Sequence, residues 1–144
     1  MKTLRHVGIV VSNLKKSLHF YKDLLGLSVT SDFNESGDCI DNILGLKNVK
    51  VHTVKMSSDN GNSLIELLFF ETHHAKNRNV KPFSLGPTHI AFEVGDLDKE
   101  YKRLKKSGVI FNAPPQYSSD GRVKVTFCKD PDRSLIEMVE ILKK

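Results

Sequence analysis

His6-Val7-Gly8-Ile9-Val10-Val11-Ser12-Asn13-Leu14-Lys15-Lys16 opens the chain, and 83 residues later His89-Ile90-Ala91-Phe92-Glu93-Val94-Gly95-Asp96-Leu97-Asp98-Lys99 follows the same plan. Each stretch begins with His, runs through an apolar segment, and reaches Asn or Asp followed by Leu. The ends of the halves match as well: Ser63-Leu64-Ile65-Glu66 recurs as Ser134-Leu135-Ile136-Glu137. An internal repeat is the strongest organising signal a sequence can carry. The chain therefore reads as a duplicated unit, with residues 1–70 and 87–144 as copies. Segment 71–86, with His73, His74, Asn77, Asn79, Pro82 and Gly86, reads as the linker.

Each copy resolves into the same elements. Leu4 to Val11 is apolar and β-branched, which predicts a strand. Ser12 or Asn13 offers an N-cap oxygen to the first turn of a helix. Leu14, Leu18, Tyr21, Leu24 and Leu25 give that helix one apolar face. Gly26 stands at its C-terminal cap, where a left-handed conformation is wanted. Strands are then predicted at Leu27–Phe33, Val49–Met56 and Ser63–Phe70, with residues 39–46 ambiguous but compatible with a short helix. In the second copy, strand His89–Val94 leads to a helix capped by Asp96, running to about Lys106 and ended by Gly108. Strands follow at Val109–Phe111, Arg122–Cys128 and Leu135–Ile141, with Asp130-Pro131-Asp132 turning the chain before the last. Each copy is thus βαβββ, and the fold class is α+β.

The totals narrow the function classes. A chain of 144 residues buries roughly 68–70% of its unfolded surface on folding and needs no disulfide for stability. Its two cysteines, Cys39 and Cys128, are far apart without a CxxC pattern, and are expected to be reduced and structural. The formal net charge is +5. The lysines are spread along the chain, with no motif of nucleic-acid recognition beside them, so no nucleic-acid partner is expected. Most of the charge reads as a solvated face, and attraction of an anionic small molecule is the alternative. No apolar run approaches the ~20 residues of a membrane helix. Met1-Lys2-Thr3-Leu4-Arg5 lacks the apolar core of a signal peptide. A cytoplasmic protein without a membrane partner is the expectation.

The duplicated His and Glu residues carry the chemistry. Side chains alternate faces along a strand, so His6 shares a face with Leu4, Gly8 and Val10. Glu66 shares one with Leu64, Leu68 and Phe70, and Glu137 one with Leu135 and Val139. A carboxylate on an apolar strand face is costly unless paired or coordinated. Two such carboxylates at equivalent points, with two equivalent imidazoles, ask for one cause. If a pseudo-twofold relates the halves, His6, Glu66, His89 and Glu137 converge in one shallow trough. Their N and O donors suit a single divalent ion, nickel, cobalt, zinc, manganese or iron. Taken singly, a strand His or Glu is more often an ordinary packed or solvated residue; the repetition is what argues for ligands.

With these residues in view, the whole chain resembles the vicinal oxygen chelate superfamily, which includes glyoxalase I, methylmalonyl-CoA epimerase, extradiol dioxygenases and fosfomycin-resistance proteins. The matching stretches are the His6 strand, Phe20-Tyr21-Lys22-Asp23-Leu24-Leu25-Gly26-Leu27, Leu64-Ile65-Glu66-Leu67, Gly86-Pro87-Thr88-His89-Ile90-Ala91-Phe92 and Asp130-Pro131-Asp132-Arg133-Ser134-Leu135-Ile136-Glu137. The resemblance implies paired βαβββ modules forming a cupped mixed β-sheet around a metal held by His6, Glu66, His89 and Glu137. The ligand order His, Glu, His, Glu is similar to that of the bacterial nickel- or cobalt-dependent glyoxalase I. It implies an isomerase or lyase that acts through an enediolate on a small substrate with vicinal oxygens. Glu137 would then be the base and Glu66 its counterpart.

Other members are less similar. Methylmalonyl-CoA epimerases tend to have Gln at the position of Glu66. Small dioxygenases and fosfomycin-type transferases use three ligands, and non-catalytic drug-binding members commonly lack them. Two glyoxalase features are missing: Ile9-Val10-Val11 stands where an Arg helps hold glutathione, and Leu67-Leu68-Phe69-Phe70-Glu71-Thr72 replaces an Asn-Trp-Gly-like segment. Phe69, Phe70 and Phe83 would line a more apolar pocket or simply pack in the core. Gln116–Arg122 is expected to be a mobile loop covering substrate. His73 and His74, adjacent in sequence, point opposite ways if extended and cannot easily chelate one ion together. A homodimer is expected, with the four ligands inside one chain or across its interface.

Overall fold

The computed structural model describes residues 1–59 and 62–142. Contacts divide the chain into two units, Met1–Asn77 and Arg78–Lys144, and the division falls inside segment 71–86. Both units are α+β, each built on one mixed sheet.

The first unit runs β1 (Val7–Val10), α1 (Leu14–Leu18), a π-helical turn (His19–Leu24), β2 (Ser28–Ser36), α2 (Asp38–Leu44), β3 (Lys50–Ser57) and β4 (Ser63–Phe70). The sheet order is β1-β4-β3-β2, with β1 parallel to β4 and the other pairs antiparallel. Parallel pairing requires a crossover, and α1 with its π-helical extension begins it. Asn13 is the cap, accepting Lys16 N–H at 2.9 Å. Gly26 ends the helix at φ 81°, a region open to Gly at little cost.

The expected uniform α-helix is not what forms. After five residues the turns widen, and Leu25 N–H reaches back five residues to Phe20 O at 2.9 Å. Ser17 of α1 and Phe20 and Tyr21 of the widened turn face inward, while Leu14, Leu18, Leu24 and Leu25 are only partly buried. Beneath them Ile9, Val11, Val54, Met56, Ile65 and Leu67 form the core face of the sheet, each at 8% exposure or less. The opposite face is closed at one end by α2, whose Ile40 packs with Val49, Val51, Leu68 and Phe70. The ambiguous stretch 39–46 is therefore helical as far as Leu44, with Gly45 as its cap, and Phe70 serves packing. Phe83, 86% exposed, lines no core.

The second unit runs β5 (His89–Glu93), α3 (Leu97–Lys106), β6 (Ile110–Phe111), β7 (Gln116–Tyr117), β8 (Val123–Lys129) and β9 (Leu135–Ile141). Its order is β5-β9-β8-β6, with β7 also pairing with β8 and β5 parallel to β9. Asp96 caps α3 by accepting Lys99 N–H at 3.0 Å, the counterpart of Asn13 in the repeat. Leu97, Leu104, Cys128, Ile136 and Met138 are the apolar core. Lys124 is buried with them, and its ammonium donates to Asp98 at 2.6 Å and lies 3.8 Å from Glu140. The Asp98 bond, with burial opposing it, holds the Lys124 pKa above its ordinary value.

The stretch Gln116–Arg122 is a structured hairpin end. Gln116 and Tyr117 pair with Val125 and Lys124, and the turn is closed by Gly121 N–H to Ser118 O at 2.9 Å. Ser118 Oγ donates to Asp120 at 2.7 Å, and Arg122 N–H bonds the same oxygen at 3.0 Å. Within the stretch expected as a mobile loop covering substrate, Gln116 and Tyr117 form a strand too short to show alternation in the sequence, and the residues up to Arg122 make the turn. The first strand is also shorter than expected: it starts at Val7, leaving Leu4 at 81% exposure.

Candidate metal centre

In the first unit, β1 and β4 run side by side with Gly8 opposite Glu66. His6 stands one residue before the strand, and its Nε2 lies 3.0 Å from Glu66 Oε2. The carboxylate alternates with Ile65 and Leu67, so the same periodicity that buries those two sends Glu66 to the face away from α1. Gly8 keeps that face low beside the carboxylate: a Cβ there would already touch Leu68 Cδ1 at 3.5 Å. The second unit repeats the construction. Ala91 stands opposite Glu137, His89 opens β5, and His89 Nε2 lies 3.3 Å from Glu137 Oε2. Both glutamates are mostly covered, at 17% and 22% side-chain exposure, and the two imidazoles are more open.

The four predicted ligands are thus present as two His–Glu pairs, one per unit. Among the described residues no group of three or more His, Cys, Asp or Glu side chains forms. Within each pair the fit to a divalent ion is good. An imidazole nitrogen and a carboxylate oxygen face each other on an apolar sheet, a donor set suited to zinc and its first-row neighbours. Thr88 adds orientation in the second unit, its hydroxyl lying 3.0 Å from His89 Nδ1. A partner on Nδ1 orients the ring and keeps Nε2 turned toward Glu137.

Three neighbours of the pairs were not legible in the sequence. Lys55 on β3 lies opposite Glu66, with Nζ 3.7 Å from Oε1. Phe127 on β8 lies opposite Glu137 and packs edge-on against His89, ring centres 5.3 Å apart. Thr88 is the third; its place just before His89 was the one available clue. Three of the other four histidines are paired elsewhere: His19 with Asp23 at 3.0 Å, His52 with Asp32, and His73 Nδ1 with Thr72 Oγ1 at 2.9 Å.

The cysteines stand apart from the pairs. Cys39 is exposed and Cys128 buried. Burial, with Asp130 nearby, pushes the Cys128 thiol up to about 12, which keeps it protonated and inert.

Comparison with known proteins agrees with this architecture. The chain is 30% identical to the uncharacterized protein YraH of Bacillus subtilis, covering 99% of this chain and 100% of that one. It is 29% identical to a lactoylglutathione lyase of Neisseria meningitidis, covering 95% and 89%. The crystal structure of a glyoxalase family protein from Bacillus cereus superposes with a TM-score of 0.87 at 28% identity, covering 99% of this chain and 97% of that one. The chain belongs to the glyoxalase/bleomycin resistance protein/dioxygenase superfamily, whose family model matches residues 3–138.

Proposed function

We propose that the protein is a metal-dependent isomerase or lyase of the glyoxalase I type, acting through an enediolate on a small substrate with vicinal oxygens. The observation that carries this is the repeated His–Glu pair: His6 with Glu66 and His89 with Glu137, at equivalent registers of the two units. In this reading the two pairs share one divalent ion, within a chain or between two copies in a homodimer. Such an ion, when bound, supplies the positive charge that stabilises developing negative charge on the substrate oxygens.

The protein side of the reaction follows from the two carboxylates. Glu137 removes the proton from the carbon beside the substrate carbonyl, giving the enediolate, and returns a proton to the neighbouring carbon. A base within hydrogen-bond reach of that proton is what such a step requires. Phe127 and the surrounding apolar strand face limit water around Glu137, which keeps the proton with the substrate. Glu66, paired with both His6 and Lys55, is held by more partners and acts as the counterpart on the opposite side. Thr88 holds the His89 ring in place throughout.

The test is turnover of the methylglyoxal–glutathione hemithioacetal by protein reconstituted separately with nickel, cobalt, zinc and manganese. Metal-dependent conversion at an ordinary enzymatic rate supports the proposal. Absence of conversion with metal bound removes this substrate and moves epimerase-like enolate chemistry forward.

A further inference from the structure

The two half-sites follow one plan but differ in what faces the carboxylate. Glu66 is faced across the strands by Lys55, whereas Glu137, at the same place in the repeat, is faced by Phe127. The Lys55 ammonium sits 3.7 Å from Glu66 Oε1, while the other carboxylate oxygen faces His6. It also lies 5.6 Å from the centre of the Phe33 ring, so it rests on an aromatic surface. At 28% exposure the side chain is held by the sheet yet open to solvent. Among the described residues no Lys or Arg pairs with Glu137, and the ring of Phe127 packs against His89 instead.

In the shared centre proposed above, this asymmetry would change the charge. Two carboxylates would balance a divalent ion, and neutral imidazoles would add nothing. Lys55 would then leave one positive charge over beside Glu66, whereas Glu137 has the Phe127 ring opposite it. With Glu66 holding an ion, the Lys55 ammonium would lose much of its counter-charge. A compact ammonium with three donors is suited to an oxyanion.

We infer that Lys55 is a specificity-determining residue, selecting substrates that carry an oxyanion, phosphate or carboxylate, beside the vicinal oxygens, with Phe127 giving the apolar wall at the other half-site. The inference rests on the metal-dependent reading proposed above. The rival explanation is that Lys55 only neutralises Glu66, in which case its removal affects both charged and uncharged ligands alike.

Calorimetric titration separates the two. The probes are dihydroxyacetone, dihydroxyacetone phosphate and hydroxylevulinate, which share a hydroxyketone and carry no charge, a phosphate or a carboxylate. They are titrated into metal-free and nickel-loaded wild-type protein, Lys55→Gln and Lys55→Arg. The wild type is expected to bind at least one anionic probe about tenfold more tightly than dihydroxyacetone, a difference natural for one cation near a surface. Lys55→Gln is expected to bring the probes within about twofold of one another, and Lys55→Arg to keep the preference. The tighter of the two anionic probes identifies the oxyanion. Equal binding of all probes by the wild type, or a preference that survives in Lys55→Gln, overturns the inference. Nickel uptake is read in the same samples: its absence sinks the metal-dependent reading and the inference with it, whereas uptake without an anion preference overturns the inference alone.

Discussion

Removing the Asp130 carboxylate is expected to loosen the turn that delivers Glu137 to its place. Asp130 is 4% exposed and sits between β8 and β9. Its Oδ1 accepts Asp132 N–H at 3.0 Å and Ser134 N–H at 2.8 Å. Its own N–H donates to Ser134 O at 3.0 Å, and its carbonyl accepts Arg133 N–H at 2.9 Å. Arg133 is held at φ 67°, which a non-glycine residue adopts only when its surroundings enforce it.

Asp130→Ala orphans two backbone donors in a partly buried turn. Each orphan costs about 1–3 kcal/mol, and partial access to water places both near the lower end, so about 2–3 kcal/mol is lost in total. Asp130→Asn keeps an acceptor and loses only the charge assistance, about 1 kcal/mol. With a urea slope of about 1.5 kcal/mol per molar, the midpoint falls by roughly 1.3–2 M for Ala and under 1 M for Asn. Equal midpoints for the two variants, or an Ala variant within about 0.3 M of wild type, would refute the claim that this carboxylate organises the turn. Arg133→Gly relieves the left-handed backbone and is expected to gain about 1 kcal/mol in the same assay.

Further expectations concern the site, the core and the thiols. Glu137→Gln should lower turnover by about 100- to 10,000-fold, the range of a lost general base; retained activity removes Glu137 from that role. Thr53 is 1% exposed with a hydroxyl that has no partner among the described residues. Thr53→Val is therefore expected to stabilise the fold by about 1 kcal/mol in urea unfolding, and a loss of similar size would show that the hydroxyl is satisfied. A thiol reagent should label Cys39 in the native protein and both cysteines in urea, and fast native labelling of two thiols would contradict the burial of Cys128. Alkali should destabilise the fold. The Cys128 thiol is held at about 12 against an ordinary 9.0, so the unfolded chain loses that proton first. Stability falls as pH rises through this window, by at most about 1.4 kcal/mol per pH unit for the one group. The raised Lys124 pKa acts in the same direction at higher pH, and a midpoint rising from pH 9 to 11 would contradict the Cys128 shift.

Most of the fold was legible because both copies obey strong local rules. Ser63–Phe70 and Leu135–Ile141 form at their expected bounds, since apolar alternation on a half-buried sheet is a clear signal. Asn13 and Asp96 cap their helices as their side-chain chemistry predicts. The π-helical turn at His19–Leu24 was not legible, because leucine spacing describes an ordinary α-helix, whereas here Phe20 and Tyr21 are the buried residues of the turn. β7 was hidden by its length of two residues. At the site, repetition singled out the His and Glu pairs. Lys55 and Phe127 stayed hidden because their importance depends on cross-strand register, which the sequence does not display.

The most direct measurement is the number of divalent ions held per chain after reconstitution and exhaustive dialysis, in the wild type and in His6→Ala, Glu66→Ala, His89→Ala and Glu137→Ala. Two His–Glu pairs that share one ion predict a single equivalent per chain, lost or greatly weakened in every variant. Two equivalents in the wild type, with one surviving when either pair is broken, would show that the pairs act separately and contradict the shared centre.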